Sequence, residues 1–147
     1  GHLVLSTLHT NDALSAIPRL RDLGVESFLI AASLRLVAAQ RLVRRLCPDC
    51  RRARDDNDAM RERHGLPQAV FHSAVGCPAC DGRGFRGRLA IHEVIPAGDF
   101  IPLITADAPL AEFQELRDRA GLATLRTSGL AAAAAGLTTL EEVARVL

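Results

Sequence analysis

The chain has 147 residues, a length that suits one domain or a core with small additions. Hydrophobic residues make up 48% of it, enough for a buried core, and the net charge of +1 provides no bulk field that would favour nucleic acid or an anionic membrane. Its apolar runs are far shorter than the roughly 20 residues of a membrane span, so we expect no transmembrane segment.

The chain begins with a predicted strand and a helix. Residues 3–8 ("LVLSTL") are apolar and partly β-branched, a pattern typical of a buried strand. Asn11 is a suitable N-cap for a helix that ends at Gly24. Pro18 should kink or shorten this helix.

The later predicted elements are mostly helices. They fall at residues 27–40, 55–64, 108–120, 124–135 and 139–147. Two further strands are predicted at residues 41–46 and 85–95. Thr138 stands three residues before Glu141, which predicts a capping box at the start of the last helix.

All four cysteines occur in two matched pairs, "CPDC" and "CPAC", separated by 26 residues (51–76). Their positions are Cys47, Cys50, Cys77 and Cys80. Zinc prefers four soft ligands in a tetrahedron, and a Cys-x-x-Cys turn brings two thiolates to one ion. The spacing therefore predicts a zinc site, and a structural one, because four thiolates leave no open position for a substrate.

Disulfides, a redox pair and free thiols remain as alternatives for these cysteines. Disulfides need an oxidising compartment, and a thioredoxin-like redox motif needs one pair rather than two. His64 and His72 lie between the pairs and could replace a cysteine ligand, although four thiolates already complete the shell. We expect these two histidines to lie on the surface or in loops.

Arginines cluster around both cysteine pairs, and the chain contains no lysine. The first cluster comprises Arg41, Arg44, Arg45, Arg51, Arg52 and Arg54, and the second Arg83, Arg86 and Arg88. Contact with a neighbouring subunit, a nucleotide or an acidic partner is one interpretation. A solvated face balanced by nearby aspartates is the other, and both remain open.

Several separate motifs resemble, in order, the C-terminal part of the secretion ATPases. They are "GHLVLSTLHTNDA", "RLRDLGVESFL", "AAQRLVRRLCPDC", "GCPACDGRGFRGRLAIHEV" and "GLTTLEEVARV". These ATPases are the hexameric motors of type II secretion and type IV pilus assembly. The resemblance covers essentially the whole chain.

The resemblance implies an α/β fold that is the C-terminal portion of a RecA-like ATPase core. Residues 1–46 would be a remnant of that core, and residues 47–84 a tetracysteine zinc-binding subdomain. Residues 85–95 would form a strand that returns to the core. Residues 96–147 would form a helical C-terminal region.

The opening stretch is similar to the family's histidine box, which implies that His9 contacts a terminal phosphate. Its predicted place, at the end of a strand and before a helix N-terminus, agrees with where anions bind in α/β sheets. His2 would be a structural or relay partner. Gln40 and Arg41, in the family-like "AQRL", could approach the nucleotide. A capping role for His9 and a core role for His2 are the alternatives.

A nucleotide-binding P-loop requires the lysine of GxxxxGK[ST], which this chain does not have. The acidic Walker B and aspartate-box segments are missing too. We therefore expect these 147 residues to be the C-terminal part of a motor and to hydrolyse no ATP alone. The resemblance implies that the full-length protein binds ATP and Mg²⁺, forms a homo-hexamer in the cytoplasm, and works at platform proteins of the bacterial inner membrane.

Two other functions remain possible from the residues alone. A zinc-stabilised protein-interaction module would act by docking. A zinc-ribbon nucleic-acid binder would use the arginines, but the near-neutral charge and the scarcity of aromatic residues argue against it.

Overall fold

The computed structural model describes residues 2–147 and confirms a mixed α/β fold. The helices are α1 (Ala16–Asp22), α2 (Ser27–Ser33), α3 (Asn57–His64), α4 (Ile101–Thr105), α5 (Leu110–Arg119), α6 (Leu125–Ala134) and α7 (Leu140–Val146). The strands are β1 (Leu36–Leu46), β2 (Arg52–Ala53), β3 (His72–Ser73) and β4 (Phe85–Pro96).

The strands form two small sheets. β1 pairs with β4, and β2 pairs antiparallel with β3, with Arg52 opposite Ser73 and Ala53 opposite His72. The chain divides into two compact units, one built from residues up to 39 and 93–124, the other from residues 40–92 and 125–147. β1 and β4 each contribute residues to both units.

The first unit has an apolar core around α2 and α4, which pack on each other. Phe100 and Phe113 stack within it, with ring centroids 6.1 Å apart. The guanidinium of Arg21 lies over the Phe113 ring and donates to the carbonyls of Ile104 and Ala108, at 2.9 and 3.2 Å. These contacts tie α1 to the end of α4.

The second unit has a core where α6 and α7 meet the segment between the cysteine pairs. Its buried members are Ala69, Phe71, Ala133 and Val143. A Cβ at Gly129 of α6 would lie 2.6 Å from the Val143 side chain, so the glycine permits the close packing of α6 on α7. This close packing explains why α6 contains Gly129, although glycine weakens an isolated helix by about 1 kcal/mol relative to alanine.

The predicted strand over residues 3–8 is wrong. These residues form no regular element, and Leu3, Val4 and Leu5 are 78–88% exposed. A strand requires a hydrogen-bonded neighbour, and the described residues provide none here. The residues are apolar, but without a paired strand their side chains stay exposed.

The predicted helix over residues 27–40 is also wrong beyond Ser33. α2 ends there, and β1 begins at Leu36 rather than at residue 41. Val37, Ala39 and Val43 are buried while their neighbours are more exposed, which is the two-residue alternation of a strand. An apolar run that is dense enough hides this alternation.

The predicted helix starts need correction as well. α1 begins after Ser15, not after Asn11, and Pro18 lies in its first turn, where it removes no helical hydrogen bond. The cap of α7 is Thr139, whose hydroxyl accepts from the Glu142 N–H at 3.2 Å. Thr138 instead donates to the Arg44 carbonyl at 2.8 Å, so the cap lies one residue later than predicted, and the Glu142 carboxylate binds Arg44 and Arg145 rather than closing a capping box.

The other predicted elements are confirmed to within two residues at each end. They are α3, α5, α6, α7 and β4. Gly24 ends α1 with a φ of 84°, and its N–H donates to the Arg21 carbonyl.

Candidate metal centre

Two tight turns bring the four cysteines together. The first follows the end of β1, where the N–H of Arg51 donates to the Cys47 carbonyl at 3.1 Å. The second is a 3-10 turn over Pro78–Cys80, where the N–H of Gly82 donates to the Cys77 carbonyl at 3.0 Å. Each turn therefore presents two thiols on the same side.

The four sulfurs have the spacing of a tetrahedral metal site. All lie within 4.8 Å of one another, and three of their separations are 3.8–3.9 Å. Ligands about 2.3 Å from a tetrahedral zinc ion would be about 3.8 Å apart. The cysteines are free thiols, and their sulfurs are well beyond the roughly 2.05 Å of a disulfide bond, which argues against the disulfide alternative.

Backbone N–H groups favour the thiolate of Cys80, whereas burial raises the pKa of Cys50 and of Cys77. The N–H of Gly76 donates to Cys50 Sγ at 3.3 Å, and the N–H groups of Cys77 and Gly84 donate to Cys80 Sγ at 3.3 and 3.1 Å. Burial opposes ionisation of Cys80, but these donors lower its pKa to about 7. Cys47 and Cys80 are 0% and 2% exposed, so a bound ion would be shielded from water.

Glycines allow the second turn to form. Gly82 and Gly84 both have φ of 73°, a left-handed conformation that glycine adopts without strain. Gly76 has φ of 104°, and a Cβ there would overlap the backbone carbonyl of Gly82, with the Gly82 carbonyl carbon 2.9 Å away. Gly76 directly precedes "CPAC", but this position alone does not indicate the close approach.

We expect Gly76→Ala to destabilise residues 47–84, the cysteine module, by about 2 kcal/mol. The new methyl group would overlap the Gly82 backbone, which cannot move without distorting the turn. Gly82→Ala is the matched control: its φ is also positive, but nothing lies within 4 Å of the added Cβ, so about 1 kcal/mol is expected. Urea unfolding of the metal-loaded variants measures both. Equal losses for the two would show that the Gly76–Gly82 approach is unimportant.

The turn between α6 and α7 is bound to the cysteine module. The N–H of Leu46 donates to the Leu137 carbonyl at 2.8 Å, and the guanidinium of Arg51 donates to the Gly136 carbonyl. Arg54 binds Glu141 at 2.7 Å. Arginines next to the first cysteine pair therefore serve as anchors for the last helix, a role that composition alone could not predict.

Glu142 is a buried carboxylate with two arginine partners that the sequence patterns do not single out. Its carboxylate is buried, yet it accepts from Arg44 at 2.6 Å and from Arg145 at 2.9 and 3.0 Å. Hydrogen bonds from Arg44 and then Arg145 hold the pKa of this carboxyl far below its ordinary value. Only its place one helical turn before an arginine in "EEVAR" hinted at this.

The predicted nucleotide-site residues lie away from regular helix ends. His2 and His9 are exposed in the irregular segment before α1, and α1 begins seven residues after His9. Gln40 is exposed and Arg41 is half-buried, both in the middle of β1. The strand-to-helix junction on which His9 was placed is therefore not formed in the described residues.

The histidines between the cysteine pairs are half-buried rather than on the surface. His64 ends α3 and contacts the Phe71 ring edge-on, with centroids 5.9 Å apart. His72 lies in β3, and its buried Nδ1 has no hydrogen-bond partner among the described residues. Neither belongs to the group of four sulfurs.

Among residues 2–147, no helix combines the length and apolarity needed to cross a membrane.

A family model described as "Type II/IV secretion system protein" matches residues 1–145. The chain is 46% identical over 150 residues to the type IV pilus assembly ATPase PilB of Myxococcus xanthus, covering 97% of this chain and 26% of that protein.

Two type II secretion proteins are similarly close. Protein E of Pectobacterium carotovorum subsp. carotovorum is 47% identical and ATPase E of Vibrio cholerae 42% identical, each over 149 residues, or 99% of this chain. The chain spans 30% of the length of each. With a family match over nearly all its residues, the chain belongs to the type II/IV secretion system protein family.

Proposed function

We propose that this chain is the C-terminal part of a hexameric motor ATPase with a RecA-like core, which powers type II secretion or type IV pilus assembly. The observation that carries the proposal is the match of residues 1–145 to the secretion family, together with relatives whose names include ATPase. In this proposal the motor works in the cytoplasm at inner-membrane platform proteins, without nucleic acid.

We propose that the four cysteines bind a structural zinc ion. The donor set, the sulfur separations and the backbone N–H donors all fit zinc, and four thiolates would complete its tetrahedral shell. The ion would supply a rigid link between two turns. The residues of this chain then hold the module to α6 and α7 through Arg51 and Arg54.

His9 and His2 remain the candidates for a histidine box in the full-length protein, with Gln40 and Arg41 as weaker candidates near the nucleotide. The exposure of His9 leaves its imidazole accessible to a ligand. In this proposal, the imidazole hydrogen-bonds a terminal phosphate of ATP, with Mg²⁺ bound by parts of the motor outside this chain.

The expected result is that the metal-loaded 147-residue chain hydrolyses no ATP above a no-protein control, because it has no lysine for a P-loop. The full-length protein is expected to hydrolyse ATP. Phosphate release, measured on both proteins under the same conditions, makes the comparison. Turnover by the chain alone, or none by the full-length protein, would contradict the proposed function.

A further inference from the structure

A cleft of about 530 Å³ in the second unit brings together three arginines from three elements. Arg44 comes from β1, Arg88 from β4 and Arg145 from α7, and Leu42 completes the lining. The three positions are far apart in sequence, so the fold concentrates positive charge that the sequence disperses. Neither the proposed metal site nor the proposed ATPase activity uses these residues.

Two of these arginines are held in place by Glu142. Arg44 donates through Nη2 to Oε1, and Arg145 donates through Nε and Nη2 to the two carboxylate oxygens. The Arg44 guanidinium also lies 4.2 Å from the centroid of the Phe85 ring. Side chains fixed in this way lose little additional conformational freedom when a ligand binds.

The same two arginines keep donors for a ligand. Their side chains are 51% and 58% exposed, and neither uses Nη1 in its bonds to Glu142. A guanidinium has five N–H donors, so each retains several that face the cleft or water. The carboxylate that orients them is itself 3% exposed and cannot follow a ligand outwards.

Arg88 makes no ion pair among the described residues and is exposed at the cleft. The three guanidinium groups and Glu142 sum to a charge of +2, which matches one phosphate dianion. A carboxylate would pair with a single guanidinium and leave the others without a counter-charge. Guanidinium groups bind phosphate through paired N–H donors, and several around one cleft suit its three terminal oxygens.

We propose that Arg44, Arg88 and Arg145 form a binding site for the phosphate group of a small ligand or a lipid headgroup. The cleft volume exceeds that of phosphate alone and falls in the range of small-molecule sites. Leu42, 47% exposed, offers an apolar wall for the part of the ligand next to the phosphate. The site does not depend on the proposed motor function.

The test is a titration of the metal-loaded chain with inorganic phosphate at constant ionic strength, followed by NMR of the arginine Nε–H groups. Saturable shifts are expected at Arg44, Arg88 and Arg145. Arg88→Gln should weaken binding about tenfold, since it removes one charge-assisted contact. Because Arg88 has no ion-pair partner in the structure, this variant should keep its fold, which the remaining NMR signals report.

Arg126→Gln is the matched control, with the same charge change at an exposed residue of α6 outside the cleft. Sedimentation with vesicles that contain phosphatidic acid, whose phosphate is a monoester with three terminal oxygens, against phosphatidylcholine vesicles, distinguishes a lipid headgroup from a soluble ligand. Binding to the anionic vesicles that Arg88→Gln removes and phosphate competes away identifies a lipid headgroup. Phosphate binding without such vesicle binding identifies a soluble ligand. Shifts that never saturate, or equal losses in Arg88→Gln and Arg126→Gln, overturn the proposal.

Discussion

Removal of the metal is expected to unfold residues 47–84. The segment has little else to stabilise it, since β2 and β3 have two residues each and α3 buries none of its side chains. A structural zinc ion contributes an apparent binding free energy of about 10–16 kcal/mol that is coupled to folding. The loss of this binding free energy should therefore exceed the stabilisation that the small core around Phe71 provides.

Elemental analysis of the purified chain should find about one zinc per molecule. Chelation, and Cys77→Ser, should each abolish cooperative thermal unfolding of the module and raise amide exchange in residues 47–84. Ala79→Ser is the matched control, because it creates a serine at an exposed position of the same turn and keeps all four thiols. Unchanged helicity and thermal stability after complete metal removal would contradict the structural role.

Glu142→Gln is expected to destabilise the chain by about 3 kcal/mol at neutral pH. The change removes the charge from a buried carboxylate that binds two arginines and also accepts from the Arg44 N–H at 3.1 Å. Removing one partner of a buried ion pair costs about 3–5 kcal/mol. The lower end applies because both arginines are half exposed and can turn to water.

Glu141→Gln is the control for this change. Glu141 is the preceding residue, pairs with Arg54 and has a side chain that is 66% exposed, so its replacement should cost at most about 1 kcal/mol. Chemical unfolding of both variants with metal bound gives the comparison. Equal effects of the two substitutions would show that burial of Glu142 carries no special weight.

The effect of Glu142 should depend on pH in a defined direction. Its folded-state pKa is depressed below the ordinary 4.5, first by Arg44 and then by Arg145. The stabilisation is therefore present above about pH 4.5 and is lost as the pH falls toward the folded pKa. The stability difference between the wild-type chain and Glu142→Gln should be full at pH 7 and shrink below pH 4.5.

Local patterns predicted the elements that have clear ends. α5 and α6 were predicted from their helical pattern, and β4 from a residue content typical of a strand. The boundary between α2 and β1 was missed because the mostly apolar stretch "LRLVAA" is compatible with a buried helix or a buried strand. Pairing with another strand decides between the two conformations. The strand prediction for residues 3–8 is wrong for a related reason, since a strand forms only where a neighbouring strand pairs with its backbone N–H and C=O groups.

The four-cysteine cluster was the most predictable part of the molecule, because the Cys-x-x-Cys spacing itself brings two sulfurs of each pair together. Cys47, Cys50, Cys77 and Cys80 meet as the two CPxC motifs indicated. The arginine–glutamate network was not predictable: Arg44 and Glu142 are 98 residues apart, and only folding brings them together. The nucleotide contacts of His9 and Gln40 stay predictions, because both side chains are exposed and neither lies at a strand-to-helix junction.

The cysteine-bearing insertion, residues 47–84, follows β1 and precedes β4. At its base the Cys47 N–H donates to the Gly84 carbonyl at 3.0 Å. Its two ends thus share one backbone hydrogen bond at the base. The free energy of closing such an insertion rises by only about 0.6 kcal/mol for each doubling of its length. Residues can accordingly be gained or lost at its exposed tip, near Pro67 and Gln68, while the pairing of the strands below keeps its register.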